Sequence, residues 1–135
     1  MSSQISQSGD TDSSPSIAGK FLTFLLGSES YGIEVPSIRE IIRMQQITPV
    51  PKMPEHVRGV INLRGKVIPV IDLRIKLDLP SAEATDKTCV IVLDIKSESN
   101  ESALLGIVVD AVEEVLNIES DQIEPSPTHL WRKLR

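Results

Sequence analysis

The sequence predicts a mainly β protein, two small barrels sharing a hydrophobic core, and three observations carry that expectation. Of the 135 residues 40% are hydrophobic but only 3% are aromatic, so the core must be built from Val, Ile and Leu, whose branched side chains favour pleated strands. The apolar residues come in short runs separated by Gly, Ser and charged turns. Prolines at 49, 51 and 54, and again at 125 and 127, interrupt the chain where no regular ladder could survive.

Residues 1–18 are Ser, Gln, Asp and Gly with almost no large apolar side chain; they cannot offset their ordering entropy and are expected to form a disordered tail. Phe21-Leu22-Thr23-Phe24-Leu25-Leu26, then Gly27-Ser28-Glu29-Ser30, then Tyr31-Gly32-Ile33-Glu34-Val35 reads as strand, turn, strand. Ile38, Ile41 and Ile42 fit helical spacing as well as a short helical turn running into a strand. The second reading is preferred.

Val57 to Leu63 and Val67 to Leu73, joined at Arg64-Gly65-Lys66, form a β-hairpin with Gly65 free to take positive φ. The second arm is nearly all apolar, which implies burial on both faces, and Pro69 within it argues for an edge position or a bulge. After the polar linker from Ser81 to Lys87, Thr88 to Ile95 and Ala103 to Asp110 make a second hairpin. Val112, Val115, Leu116 and Ile118 fit strand or helix. No internal repeat is found, but hairpin-centred blocks on either side of the linker suggest two barrels, whose closure would hide strand edges.

The composition also excludes functions. A formal charge of −5 disfavours nucleic acid, which is held by Lys and Arg that release counterions. Cys89 is the only cysteine, which rules out an internal disulfide and points to a reducing compartment, read as the cytosol. Its expected role is a small buried hydrophobe at the start of a strand. No apolar run approaches the roughly 18 residues that span a bilayer, so no direct membrane insertion is expected, and no signal peptide is recognisable. His56 and His129 are too isolated for a metal site, Asp72 and Asp110 suit turn caps at strand ends, and no triad or P-loop occurs. Neither an enzyme nor a cofactor is expected.

Phe21-Leu22-Thr23-Phe24-Leu25-Leu26-Gly27, Tyr31-Gly32-Ile33, Gly59-Val60-Ile61-Asn62-Leu63-Arg64-Gly65 and Pro69-Val70-Ile71-Asp72-Leu73-Arg74 occur in order. They are followed by Val90-Ile91-Val92-Leu93, Gly106-Ile107-Val108-Val109-Asp110 and Val112-Glu113-Glu114-Val115-Leu116. Singly these strings are weak; together they resemble the CheW-like family of chemotaxis coupling proteins from about Lys20 to Pro125. The resemblance implies two five-stranded SH3-like barrels on a common core. It also implies a cytoplasmic adaptor, recruited to membrane-associated receptor arrays, that joins the cytoplasmic tip of a chemoreceptor to the regulatory domain of the histidine kinase CheA. A coupling protein of a pilus-type or other chemosensory kinase pathway is the alternative within the family's reach; a small nucleic-acid-binding barrel is the rival from another class.

On this basis residues 19–124 form the CheW-like domain, the first barrel mostly 27–80 and the second 20–26 plus 87–124. The family continues with further strands and a helix after the Pro-rich stretch, whereas Trp131-Arg132-Lys133-Leu134-Arg135 matches nothing expected. Residues 125–135 are therefore read as a divergent or truncated tail that leaves the second barrel incomplete.

An adaptor works through exposed side chains held on rigid turns. Arg64, between Asn62 and Gly65 at the hairpin tip, can present a planar guanidinium fork to a carboxylate or to helix-end carbonyls of a partner, with a solvated turn arginine as the alternative. The resemblance places receptor contacts at Arg64, Glu40, Ile38, Gly59 and Val115, with Asn62 and Gly65 shaping the turn. For Glu40 the alternative is an exposed strand carboxylate, or a local pair with Arg39 or Arg43; for Val115 it is core packing.

Overall fold

The computed structural model describes residues 19–80, 82–96, 101–124 and 131–134. The expected tail at 1–18 lies outside the described residues, as do 125–130 and 135 of the closing segment. Nine strands are described: β1 Gly19–Leu26, β2 Glu29–Glu34, β3 Ile38–Arg43, β4 Val57–Leu63, β5 Lys66–Asp72, β6 Cys89–Lys96, β7 Ser102–Val109, β8 Ala111–Ile118 and β9 Arg132–Lys133. A single-turn helix, α1 (Leu73–Lys76), follows β5, and 3-10 turns occupy Val35–Ser37 and Ser120–Gln122.

Both ambiguous segments are strands. A 3-10 turn leads into β3, where exposure alternates residue by residue, the period of a strand covered on one face. In β8 the stretch that fitted two periods is extended because it pairs with β1.

The fold is mainly β, in two sheets. One has five strands in the order β3-β6-β7-β5-β4, and the other has four in the order β8-β1-β2-β9. Neighbours are antiparallel except β5 and β7, where Val70, Ile71 and Asp72 run parallel to Gly106, Ile107 and Val108. The expected division of the chain is not the one these sheets make: β6 and β7 join β3, β4 and β5, whereas β2 stays with β1 and β8. The physical reason is visible in β6, whose four buried residues Val90 to Leu93 need cover on both faces and find it in the middle of the larger sheet.

Alternate residues of β6 enter two different cores. Val90 and Val92 join Ile61, Ile68 and Val70 inside the curl of the five-stranded sheet, with Ile42, Leu63 and Leu104 around them. Ile91 and Leu93 face the opposite way, to Leu22, Phe24, Leu26, Tyr31, Ile33, Ile107, Val109 and Trp131 in a core shared by both sheets. Phe24 and Tyr31 stack there with ring centroids 5.7 Å apart. A third, smaller cluster of Phe21, Ile118 and Ile123, with Leu134 against it, lies within the four-stranded sheet.

The expectation for β5 is corrected in two respects. Ile68 and Val70 are buried, but Val67 is 67% exposed, so the arm is not covered along both faces. Nor is β5 an edge strand; of the two alternatives for Pro69 the irregularity is the one present nearby, a register shift on the facing strand between Val57 and Gly59, opposite Ile71 and Val70. Pro69 is accommodated because its partner Val60 directs its own N–H and C=O away from β5, to Thr48. The backbone of Pro69 is therefore turned from β4, and the ladder to β7 begins only at Val70, so the missing donor breaks no bond in either register.

The tie between the sheets centres on Asp110. Its backbone N–H donates to Leu25 O at 2.9 Å, and its carboxylate accepts from Gly27 N at 2.8 Å, holding the β1–β2 turn. The same carboxylate takes Nε and a terminal nitrogen of Arg74 from α1, while the other terminal nitrogen of Arg74 donates to Pro80 O at 2.7 Å. Asp72 caps α1 through Arg74 N at 2.9 Å, as its position at a strand end suggested.

Candidate functional site

Glu40 and Arg64, singled out separately in the sequence, are brought together by the fold. Glu40 lies on β3, at one edge of the five-stranded sheet, and Arg64 stands on the turn that follows β4, at the other. The Arg64 terminal nitrogens donate to Glu40 Oε1 at 2.5 Å and Oε2 at 2.8 Å, the two-pronged geometry that a guanidinium forms with a carboxylate. Beyond β3 the chain crosses to the same edge, where Thr48 and Val60 exchange two backbone hydrogen bonds of 2.9 Å. The ion pair thus spans the seam at which this sheet curls into a barrel.

The local backbone explains how Arg64 is presented. Only two residues, Arg64 and Gly65, separate β4 from β5, and both have positive φ, 52° and 83°, as a tight type I′ hairpin requires. Gly suits that conformation; Arg does so less readily. Asn62 fixes the turn by accepting the Gly65 N–H at 3.1 Å. Arg64 remains 71% exposed in its side chain and Glu40 27%, so the pair is a surface feature on a rigid support. Arg64 holds the Glu40 carboxyl below its usual range, through the hydrogen bond first and then by charge, with Arg39 adding to it. Glu40 in turn raises the guanidinium pKa. Arg39 pairs instead with Asp94 at 3.0 Å.

A shallow depression of about 150 Å³ lies beside the pair, lined by Arg39, Glu40, Leu63, Arg64, Lys66 and Leu104. Elsewhere on the same sheet Val67 and Ile41 are exposed, 67% and 44% accessible. Basic side chains around an apolar floor suit a partner surface that offers carboxylates and aliphatic groups together.

The remaining candidates are distributed. Ile38 is half-buried against the shared core. Gly59 is buried at a register shift in β4, with φ of 148° and Thr48 O only 2.1 Å from where a Cβ would stand. That position has no room for a side chain, so Gly59 shapes the barrel seam. Val115 lies on β8 in the other sheet, facing Leu22 across the ladder, and is 53% exposed. Core packing is therefore not its role.

Sequence reasoning missed the Arg74–Asp110 pair. The signal was an arginine directly after an apolar strand, since a cation so close to the core needs an acidic partner. Cys89 is half-buried, and burial pushes its thiol pKa up. Among the described residues, no group of three or more His, Cys, Asp or Glu could hold a metal ion, and no helix is long and apolar enough to cross a membrane.

The CheW-like domain model matches residues 20–133. The chain belongs to the CheW-like domain family. Among proteins of that kind, it is 39% identical over 111 residues to the chemotaxis protein CheW of Klebsiella aerogenes, covering 82% of this chain and 64% of that one. To the chemotaxis protein CheW of Bacillus subtilis it is 36% identical over 108 residues, 80% of this chain and 66% of the other. The chain thus spans just under two thirds of the length of these CheW relatives. The crystal structure of the scaffolding protein TtCheW from Thermoanaerobacter tengcongensis superposes with a TM-score of 0.69 at 36% identity, covering 82% of this chain and 73% of that structure. The CheW-like match includes β9 and extends past the Pro-rich stretch.

Proposed function

We propose that this chain is a non-enzymatic coupling adaptor of a bacterial chemosensory pathway, joining a chemoreceptor tip to the regulatory domain of the histidine kinase CheA. The observation that carries the reading is the Glu40–Arg64 pair at the barrel seam, set on a CheW-like domain. A charge pair held by strands on both sides, with aliphatic neighbours, is suited to docking against a helical hairpin. The receptor side would then meet Arg64, Glu40 and the edge of β3 near Ile38, with Gly59 keeping the seam in shape and Val115 contributing an apolar contact from β8. The kinase would occupy a different face, and the adaptor would work in the cytoplasm at membrane-associated receptor arrays.

Co-purification tests the reading. Tagged wild-type chain should retain both CheA and receptor cytoplasmic fragments, and Arg64→Glu should lose receptor while keeping CheA. Failure of the folded wild-type chain to retain either, or retention of RNA instead, would overturn it.

A further inference from the structure

The polar linker that follows α1 is fastened at both ends. At its start the Pro80 carbonyl accepts from Arg74 at 2.7 Å. At its end Thr85 and Thr88 close a turn: Thr85 N donates to Thr88 Oγ1 at 2.8 Å, Lys87 N to Thr85 Oγ1 at 3.1 Å and Thr88 N to Thr85 O at 3.2 Å, the local bonding by which hydroxyl side chains fix turns. Between these anchors the linker forms one wall of a cavity of about 350 Å³, whose other walls come from β4, β5, α1, β7 and the corner that follows β7. The cavity shares no residue with the depression beside Glu40 and Arg64.

Its charged lining is Arg58, Asp72, Arg74, Glu83 and Asp110, and only some of these groups are satisfied within the chain. Arg74 and Asp110 neutralise each other, and every guanidinium nitrogen of Arg74 is bonded, to Asp110 or to Pro80. Arg58 differs: no described group accepts a hydrogen bond from it, and Asp72 Oδ2 beside it stands at 3.9 Å, beyond hydrogen-bond distance. Asp72 commits Oδ1 to the Arg74 N–H and leaves Oδ2 for a donor. Glu83 has no described partner. The cavity therefore presents one guanidinium and two carboxylates with bonds still to be made.

We propose that this cavity binds a free basic α-amino acid of the lysine type. Its α-carboxylate takes the Arg58 fork, its α-ammonium donates to Asp72 Oδ2, and its side-chain cation meets Glu83. The methylene stem lies along Ala82, Ala84 and Val108, the apolar part of the lining, as long cationic side chains cover apolar surface elsewhere. Charge selects this class over its rivals. A simple anion would meet two carboxylates for one guanidinium. A diamine would match the carboxylates but leave Arg58 unpaired and repel it. A neutral zwitterion would leave one carboxylate over, whereas one negative and two positive groups leave none. The volume is that of a small-ligand site, and occupancy would draw β4, β5 and the linker together.

An amide NMR titration of the full 135-residue chain with L-lysine tests the site. Saturable shifts are expected at Arg74, Ala84, Thr88 and Asp110 and not at Glu40 or Arg64. The Arg58 side chain is 39% exposed, so Arg58→Gln should keep the thermal midpoint while weakening lysine binding about tenfold. Glu83→Gln should weaken lysine about threefold and leave norleucine, which lacks the side-chain cation, unaffected. Hexanoate and 1,5-diaminopentane, each carrying charge of one sign, should bind more weakly than lysine. Equal binding of lysine and 1,5-diaminopentane would reduce the cavity to an acidic surface and overturn the proposal. So would lysine affinity unchanged in a folded Arg58→Gln chain, or no saturable shift at millimolar lysine in wild type that melts cooperatively.

Discussion

Arg64 reaches Glu40 with two guanidinium nitrogens, at 2.5 and 2.8 Å, from the opposite edge of the same sheet. A contact between the two ends of a five-strand order is possible only because the sheet is curled, so the pair reports barrel closure as well as surface chemistry. Because the pair is exposed, its removal should change the thermal midpoint little. Arg64→Ala is expected to fold like the wild type and to lose receptor retention, as circular dichroism and co-purification will show. The double exchange Glu40→Arg with Arg64→Glu should also fold like the wild type and still fail to retain the receptor, since the partner would meet reversed charges.

The acid limb of the pH response follows from the direction of the Glu40 shift. Its folded pKa lies below the ordinary 4.5, so the pair's contribution is fully present above the unfolded value and is lost as pH falls through the depressed folded one. A carboxyl-carbon NMR titration should give Glu40 a midpoint under 4.5, and Arg64→Ala should return it upward.

Gly59→Ala should fail through the fold. The added Cβ would meet Thr48 O at 2.1 Å on a backbone with φ of 148°, and a loss of more than about 2 kcal/mol is expected. Urea unfolding measures it; unchanged stability with lost receptor binding would instead make Gly59 a direct contact.

Arg74→Met tests the tie between sheets. The Arg74 side chain is 14% exposed and that of Asp110 34%, so solvent screens the pair in part, and removal of one partner is expected to destabilise by about 1–3 kcal/mol. The measurement is again urea unfolding, with amide exchange at Gly27 rising in the variant.

Cys89 is expected to alkylate slowly at neutral pH. Burial raises its thiol pKa, which leaves little thiolate, and the reaction with iodoacetamide should accelerate sharply on urea addition.

Strand positions were legible because the apolar runs and Gly or Pro punctuation are local signals. So was the Arg64–Gly65 turn, whose chemistry resides in four consecutive residues. Burial was not, since Val90-Ile91-Val92-Leu93 and Val67-Ile68-Pro69-Val70 look equally apolar in one dimension; both strands lie inside the five-stranded sheet, but only β6 is covered on both faces. Glu40 and Arg64 could each be nominated but not paired, because no periodicity links a β3 residue to the turn that follows the next strand.

The nesting of the larger sheet between β1 and β8 in chain order has a consequence for biosynthesis. Thr23 on β1 exchanges hydrogen bonds with the backbone of Glu114, 91 positions away, whereas every strand of the larger sheet lies between those two points in the chain. During translation the larger barrel can therefore assemble as a nested unit while β1, paired with β2 along one edge, waits for β8 to cover the other. Of the strands described, the earliest to emerge is among the last to be paired on both edges, and until then Phe21, Phe24 and Leu26 are the part of the domain most dependent on chaperone protection.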